Sequence, residues 1–245
     1  MSNEFVKIYH NAVSDTFCDK LIQQYEDNPQ QYYHQDRKNE ARNWKMSFSQ
    51  IHLQEHGIWK NDVAHLMDTY KTYLKQYRED CNITENMWPL NHTYETIRMK
   101  RYLPNDKDMF GSHVDVTDYN TARRFLVFFL YLDNNEAGQT TFERTGFSAS
   151  CKKGSLLMFP PTWQYPHAGE KPIDKPKYIV GVIYTMSKLL NSKGQPIKNK
   201  VDLSKLPTTE QILKDPITKK FVFLIVKITQ TKLVLVLLMR QIIMV

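Results

Sequence analysis

The chain has 245 residues, of which 41% are hydrophobic and 24% charged, with only 8 Gly; this is an ordinary globular composition that excludes a disordered or collagenous chain and is long enough to bury a core. The net charge of +7 is unevenly placed: residues 188–245 hold 11 Lys and Arg against 3 Asp and Glu, which leaves 22 against 23 for residues 1–187. The body is therefore near neutral and the C-terminal lysines are scattered, so no nucleic-acid footprint is expected.

The opening residues, MSNEFVKIYHNAVSD, lack a basic stretch followed by an apolar run, so no signal peptide is expected and a soluble, cytoplasmic protein is. In SDTFCDKLIQQYEDNP, Ser14 can cap a helix whose apolar face is Phe17, Leu21, Ile22 and Tyr25, with Pro29 just beyond its end. The run NDVAHLMDTYKTYLKQYRED predicts a longer helix capped by Asn61, with a core stripe of Val63, Leu66, Met67, Tyr70, Leu74 and Tyr77; His65 on it carries no chemistry. Cys18, Cys81 and Cys151 are odd in number and lack Cys-x-x-Cys spacing, which argues against a disulfide framework or a thiolate zinc site.

From about residue 94 the period changes. YETIRMKRYL, RRFLVFFLYLD, GQTTFE, GSLLMFP and KYIVGVIYT are short β-branched and aromatic runs bounded by Pro, Gly, Asn and Asp, and predict strands. RFLVFFLYL is apolar at both parities, so its strand is covered on both faces: Val127, Phe129 and Tyr131 on one, Leu126, Phe128, Leu130 and Leu132 on the other. The fold class predicted is α+β, mainly β: a double-sheet antiparallel domain, commonly a jelly roll (double-stranded β-helix), with N-terminal helices packed on one sheet. Residues 188–245 read as a basic linker followed by an apolar tail. Lys227, Lys232 and Arg240 interrupt that tail too often for a membrane span, so no membrane is expected.

One constellation carries chemistry. His113 and Asp115 in GSHVDV sit one residue apart, so in an extended segment both point to one face, and His167 in YPHAG comes several strands later. By itself such a short pattern arises by chance. Two imidazoles and one carboxylate are nonetheless the set that leaves open positions on Fe(II) for a co-substrate and O₂. His10, His34, His52, His56 and His92 show no such spacing, and HLQEH departs from the zinc-peptidase pattern. Trp163 and Tyr165 lie beside His167 and read as pocket-shaping or, more plainly, as buried packing residues.

The surroundings of the triplet add a family resemblance over roughly residues 5–187. HVD, then RRFLVFFLYLDNNEAGQTTF, KKGSLLMFP and PHAGEKPIDKPKYIVGVIY resemble the prolyl 4-hydroxylase-like branch of the iron and 2-oxoglutarate dependent dioxygenases, and VKIYHNAVSDTFCDKLIQQYE resembles that family's opening strand and first helix. The resemblance implies a dioxygenase domain over 1–187 with its jelly-roll core at about 94–187, and His113, Asp115 and His167 as metal ligands and catalytic residues. It implies Lys177, ten residues after His167, as partner of the distal carboxylate of 2-oxoglutarate, Tyr131 as a hydroxyl donor to the same group, and Tyr102 as a co-substrate contact. Tyr131 and Tyr102 also read as core residues. A cation at Lys177 has a physical reason, because a carboxylate is costly to bury unless a cation meets it. The implied cofactors are Fe(II), 2-oxoglutarate, O₂ and ascorbate as reductant. The implied reaction hydroxylates a C–H bond, of a peptidyl proline or of another side chain or small molecule, and releases succinate and CO₂. A non-catalytic metal-binding jelly-roll module is the alternative from another class. The sequence departs from the family pattern at Phe110, where a tyrosine is usual, and at Ala137-Gly138, where two glycines are.

Overall fold

The computed structural model describes residues 4–40 and 44–187, and the linker and tail expected over 188–245 lie outside the described residues. The strands, in chain order, are β1 (Lys7–Tyr9), β2 (Tyr33–Asn39), β3 (Trp44–His52), β4 (His92–Tyr94), β5 (Arg98–Tyr102), β6 (Met109–His113), β7 (Arg124–Tyr131), β8 (Asn135–Phe142), β9 (Phe147–Cys151), β10 (Leu156–Phe159), β11 (His167–Gly169) and β12 (Lys177–Met186). Helices α1 (Asp15–Glu26) and α2 (Lys60–Asp80) precede most of them. The strands pair antiparallel in one continuous path, β1-β10-β7-β12-β5-β3-β6-β11-β8-β9, with β2 added on β3 and β4 on β12. Strand β3 carries the path from one sheet to the other: Ser49 to His52 pair with β5, while Met46 and Ser47 pair with β6. The result is a jelly roll, as the strand pattern predicts.

Two apolar layers hold it together. On the outer face of β7, Leu126, Phe128, Leu130 and Leu132 join β12 residues Val180 and Val182 and the helix residues Cys18, Leu21, Tyr25, Leu66, Tyr70 and Tyr77. On its inner face, Val127 and Tyr131 join Phe48, Tyr102, Phe142, Phe159, Ile179 and Ile183 between the sheets. The parity read from the sequence assigns both layers correctly, and the helices do cover the outer face.

Ser14 caps α1 by accepting a hydrogen bond from the Phe17 N–H at 3.2 Å. The cap expected at Asn61 is a correction: α2 begins at Lys60, Trp59 precedes it, and no side chain caps the turn. Buried Asp62, in the first turn, instead accepts hydrogen bonds from Lys20 and Gln24 of α1. That contact ties the two helices together and puts a negative charge at the positive end of α2.

The hairpin β2–β3 was not among the expected strands. Its outer strand is almost wholly exposed and reads YHQDRKN, which carries no apolar alternation. The signal that could have found its partner is Trp44, Met46 and Phe48 at period two.

Phe128 is fully buried under Tyr70 of α2, with ring centroids 5.3 Å apart. Phe128→Ala is expected to lower unfolding free energy by about 3 to 5 kcal/mol in urea titrations while leaving divalent-metal affinity unchanged, because the cavity opens on the helix side of the sheet.

Candidate metal centre and adjoining cavity

His113 ends β6 and His167 begins β11, and the two are direct partners in the antiparallel register of these strands. A cross-strand pair brings side chains on one face into contact; here the imidazole rings lie 4.3 Å apart. Asp115 follows β6 and completes the group: one ligand atom from each residue lies within 4.8 Å of the others. Asp115 Oδ1 is 3.8 Å from His113 Nε2, and Oδ2 is 3.7 Å from His167 Nε2. These separations are too long for hydrogen bonds and suit donors that share one ion.

The second nitrogen of each ring is spoken for. His113 Nδ1 lies 2.9 Å from the Gly111 carbonyl and His167 Nδ1 lies 3.2 Å from the Tyr165 carbonyl. A carbonyl only accepts, so each Nδ1 carries the proton and each Nε2 presents a lone pair. His167 Nε2 and Asp115 Oδ2 are buried with no hydrogen-bond partner. Buried polar atoms left unmatched are costly, and a divalent cation would satisfy both, so the residues fit a metal. Burial first, and then His167, push the His113 imidazolium down to about 3; burial lowers His167 as well. Both rings are therefore neutral and competent as ligands at neutral pH.

Backbone contacts fix Asp115. Its N–H donates to the Pro161 carbonyl at 3.0 Å, and its own carbonyl accepts from Arg124 at 3.2 Å. Arg124 is in turn held by a two-pronged pair with Glu95, at 2.8 and 2.9 Å. Phe110 stacks flat on His113, centroids 3.7 Å apart and planes 8° from parallel.

Behind His113 and His167 lies a narrow cavity of about 10 Å³ that Lys177, Tyr102, Thr140 and Lys100 help to line. Lys177 is 2% exposed; its Nζ donates to the Gly138 carbonyl at 2.6 Å and sits 4.7 Å from the centre of the Tyr102 ring. Burial lowers its pKa. Gly138 is required by this arrangement, because a Cβ there would come within 2.6 Å of Lys177 Cδ. Tyr131 is fully buried and donates to Thr140 Oγ1 at 2.7 Å, so it reaches the cavity only through that hydroxyl, which keeps its own proton to donate inward.

Lys100 and Thr140 are the residues that sequence reasoning missed. Lys100 is 9% exposed, and its Nζ lies 4.6, 5.2 and 6.0 Å from the ring centres of Phe48, Phe110 and Phe129. Burial, then Arg98, bring its pKa down to about 8. Lys100 also borders an outer groove of about 400 Å³ that opens onto His113 and Asp115 and includes Arg37, Gln50 and Arg98. Trp163 is a correction to the reading of a buried packing residue: it is 64% exposed and faces Arg144. Tyr165 is buried and supplies the carbonyl that orients His167.

Two outcomes follow. Arg124→Ala frees the carbonyl that positions Asp115 and is expected to weaken Mn(II) or Fe(II) binding roughly 10- to 100-fold in equilibrium dialysis, with the secondary structure intact. For Lys100, the unfolded chain titrates at the ordinary 10.5 and the folded one at about 8. Between those values the unfolded state holds the extra proton, so stability of the metal-free protein rises with pH there. Lys100→Met is therefore expected to be more stable than wild type below pH 8, by on the order of 2 to 4 kcal/mol, with the gap closing towards pH 10.5 in denaturant titrations.

No protein-family model and no curated protein matches the chain. Solved structures do. The viral collagen prolyl hydroxylase of Paramecium Bursaria Chlorella virus-1, in its 2-oxoglutarate complex, superposes with a TM-score of 0.52 at 17% identity, covering 75% of this chain and 97% of that one. A prolyl hydroxylase of Trichoplax adhaerens, solved with a peptide fragment of the hypoxia inducible factor oxygen degradation domain, gives 0.53 at 16%, covering 75% and 84%. A prolyl-4-hydroxylase of Pseudomonas putida gives 0.50 at 14%, covering 74% and 92%. The described part of the chain thus has the jelly-roll fold of the prolyl hydroxylase structures.

Proposed function

We propose that the chain is an Fe(II)- and 2-oxoglutarate-dependent dioxygenase that hydroxylates a C–H bond, with peptidyl proline the first substrate to test. The observation that carries this reading is the juxtaposition of a His, Asp, His donor set, two of whose buried ligand atoms have no hydrogen-bond partner, with a narrow cavity lined by a buried lysine. In this reading His113 and His167 bind the metal through Nε2 and Asp115 through its carboxylate. Lys177 meets the distal carboxylate of 2-oxoglutarate, and Thr140, held by Tyr131, donates a hydroxyl beside it. The Tyr102 ring braces the lysine. Iron bound there would supply O₂ activation, in which decarboxylation of 2-oxoglutarate to succinate and CO₂ is coupled to transfer of one oxygen atom to the substrate, and ascorbate would keep it reduced.

The protein's own part is positioning and exclusion of water. Phe110 stacks on His113, and Phe129, Phe142 and Phe159 pack around the buried His167. The outer groove, about 400 Å³ in volume, opens onto His113 and Asp115 and offers a substrate side chain a route to them. Two of the structural neighbours, one carrying 2-oxoglutarate and one a peptide, support this reading. Among the described residues no helix is long and apolar enough to cross a membrane.

Succinate release from 2-oxoglutarate by the Fe(II)-loaded protein in O₂ tests the proposal. Turnover is expected to vanish in His113→Ala and to return in Lys177→Ala only at co-substrate concentrations raised about 10- to 100-fold, the effect of removing one charge-assisted contact. Absence of succinate in wild type, together with absence of 2-oxoglutarate binding, would favour a non-catalytic jelly-roll module.

A further inference from the structure

Two ammonium groups face one cavity. Lys177 and Lys100 project from neighbouring strands, where Lys177 pairs with Tyr102 and Lys100 with Ile179, a diagonal arrangement that puts both on the inner face. Both are nine-tenths or more buried, and among the described residues neither has a carboxylate within ion-pair distance. Each charge is costly to bury, and no carboxylate among the described residues pairs with either ammonium to offset that cost.

Lys100 stands on the side of the candidate ligands: it borders the outer groove together with His113 and Asp115, and its Nζ lies 5.2 Å from the centre of the Phe110 ring that stacks on His113. Lys177 lines the inner cavity but not that groove, and its Nζ anchors on the Gly138 carbonyl at 2.6 Å. A cavity with one cation beside the candidate ligands and a second away from the groove is matched by a ligand with two carboxylates, one of them at the metal. A mono-acid would leave one ammonium buried without a counter-charge.

We propose that Lys100 is a second co-substrate anchor whose ammonium takes the carboxylate adjoining the 2-oxo group, while Lys177 takes the far carboxylate. This rests on the 2-oxoglutarate reading above and adds to it a specificity-determining residue at the metal end. Phe48, Phe110 and Phe129 hold the ammonium over their rings, where it makes cation–π contacts and no ion pair with a protein carboxylate among the described residues. The competing role for Lys100 is to meet an anionic substrate in the outer groove that it also borders.

Calorimetric titration of the full chain, loaded anaerobically with Mn(II), separates these. Two ligands are used: 2-oxoglutarate, and 2-oxopentanoate, which keeps the 2-oxo acid end and lacks the far carboxylate. Wild type is expected to prefer 2-oxoglutarate, and Lys177→Met to erase that preference. Lys100→Met should weaken both ligands by the same factor, about tenfold or more, without weakening Mn(II) binding, and Lys100→Arg should restore most of the affinity. Affinities for both acids within twofold of wild type in Lys100→Met would overturn the inference and assign the ammonium to the groove. Weakening of 2-oxoglutarate alone would overturn it by placing both lysines at the far end. If Mn(II)-loaded wild type binds neither acid, the 2-oxoglutarate reading itself fails, and this inference with it.

Discussion

The pairing of β6 with β11 is the constraint on which the candidate centre depends. It makes His113 and His167 cross-strand partners, and it does so at a strand end, where Asp115 can turn back onto them. Two carbonyls, from Gly111 and Tyr165, then fix both rings in the tautomer that presents Nε2. All of these contacts lie within the protein, so the sheet itself orients the donors. The unmatched Asp115 Oδ2 and His167 Nε2 are the cost of that arrangement.

The two-layer core explains how a sheet can tolerate that cost. The outer layer, between the helices and β7, β12 and β5, contains the large apolar contacts and few charges. The inner layer is where polar groups accumulate: His167, Lys177, Lys100 and Thr140 are all buried there among aromatic rings. Burial of lysine without a carboxylate partner works against folding, so the stability of the outer layer is what permits a charged interior. The same low-dielectric interior strengthens any bond these groups make to an anionic ligand.

How much was legible in the sequence depended on whether the signal was local. The β7 parity was legible because one strand carries both faces, whereas Lys177 was singled out only by the resemblance; the structure buries it at the start of β12, on the same face as Ile179 and Ile183. The His-x-Asp pair was legible because a one-residue gap fixes a shared side, although its meeting with His167 rested on a resemblance rather than on spacing. Strand β3 was not legible as the link between sheets, since its partner β2 is a polar exposed strand. Lys100 was missed because RMKRY contains three basic residues and only the register with β12 reveals which one turns inward. The fate of the Tyr131 hydroxyl depended likewise on Thr140, a residue of a strand whose place in the sheet no local pattern gives.

The central claim is that His113, Asp115 and His167 hold a single metal ion. Anaerobic Mn(II) titration followed by electron paramagnetic resonance tests it most directly, because free and bound ion are counted separately. The account predicts one ion per chain in wild type and loss of the tight site in His113→Ala, Asp115→Ala and His167→Ala alike. Unchanged stoichiometry and affinity in any one of the three would contradict it.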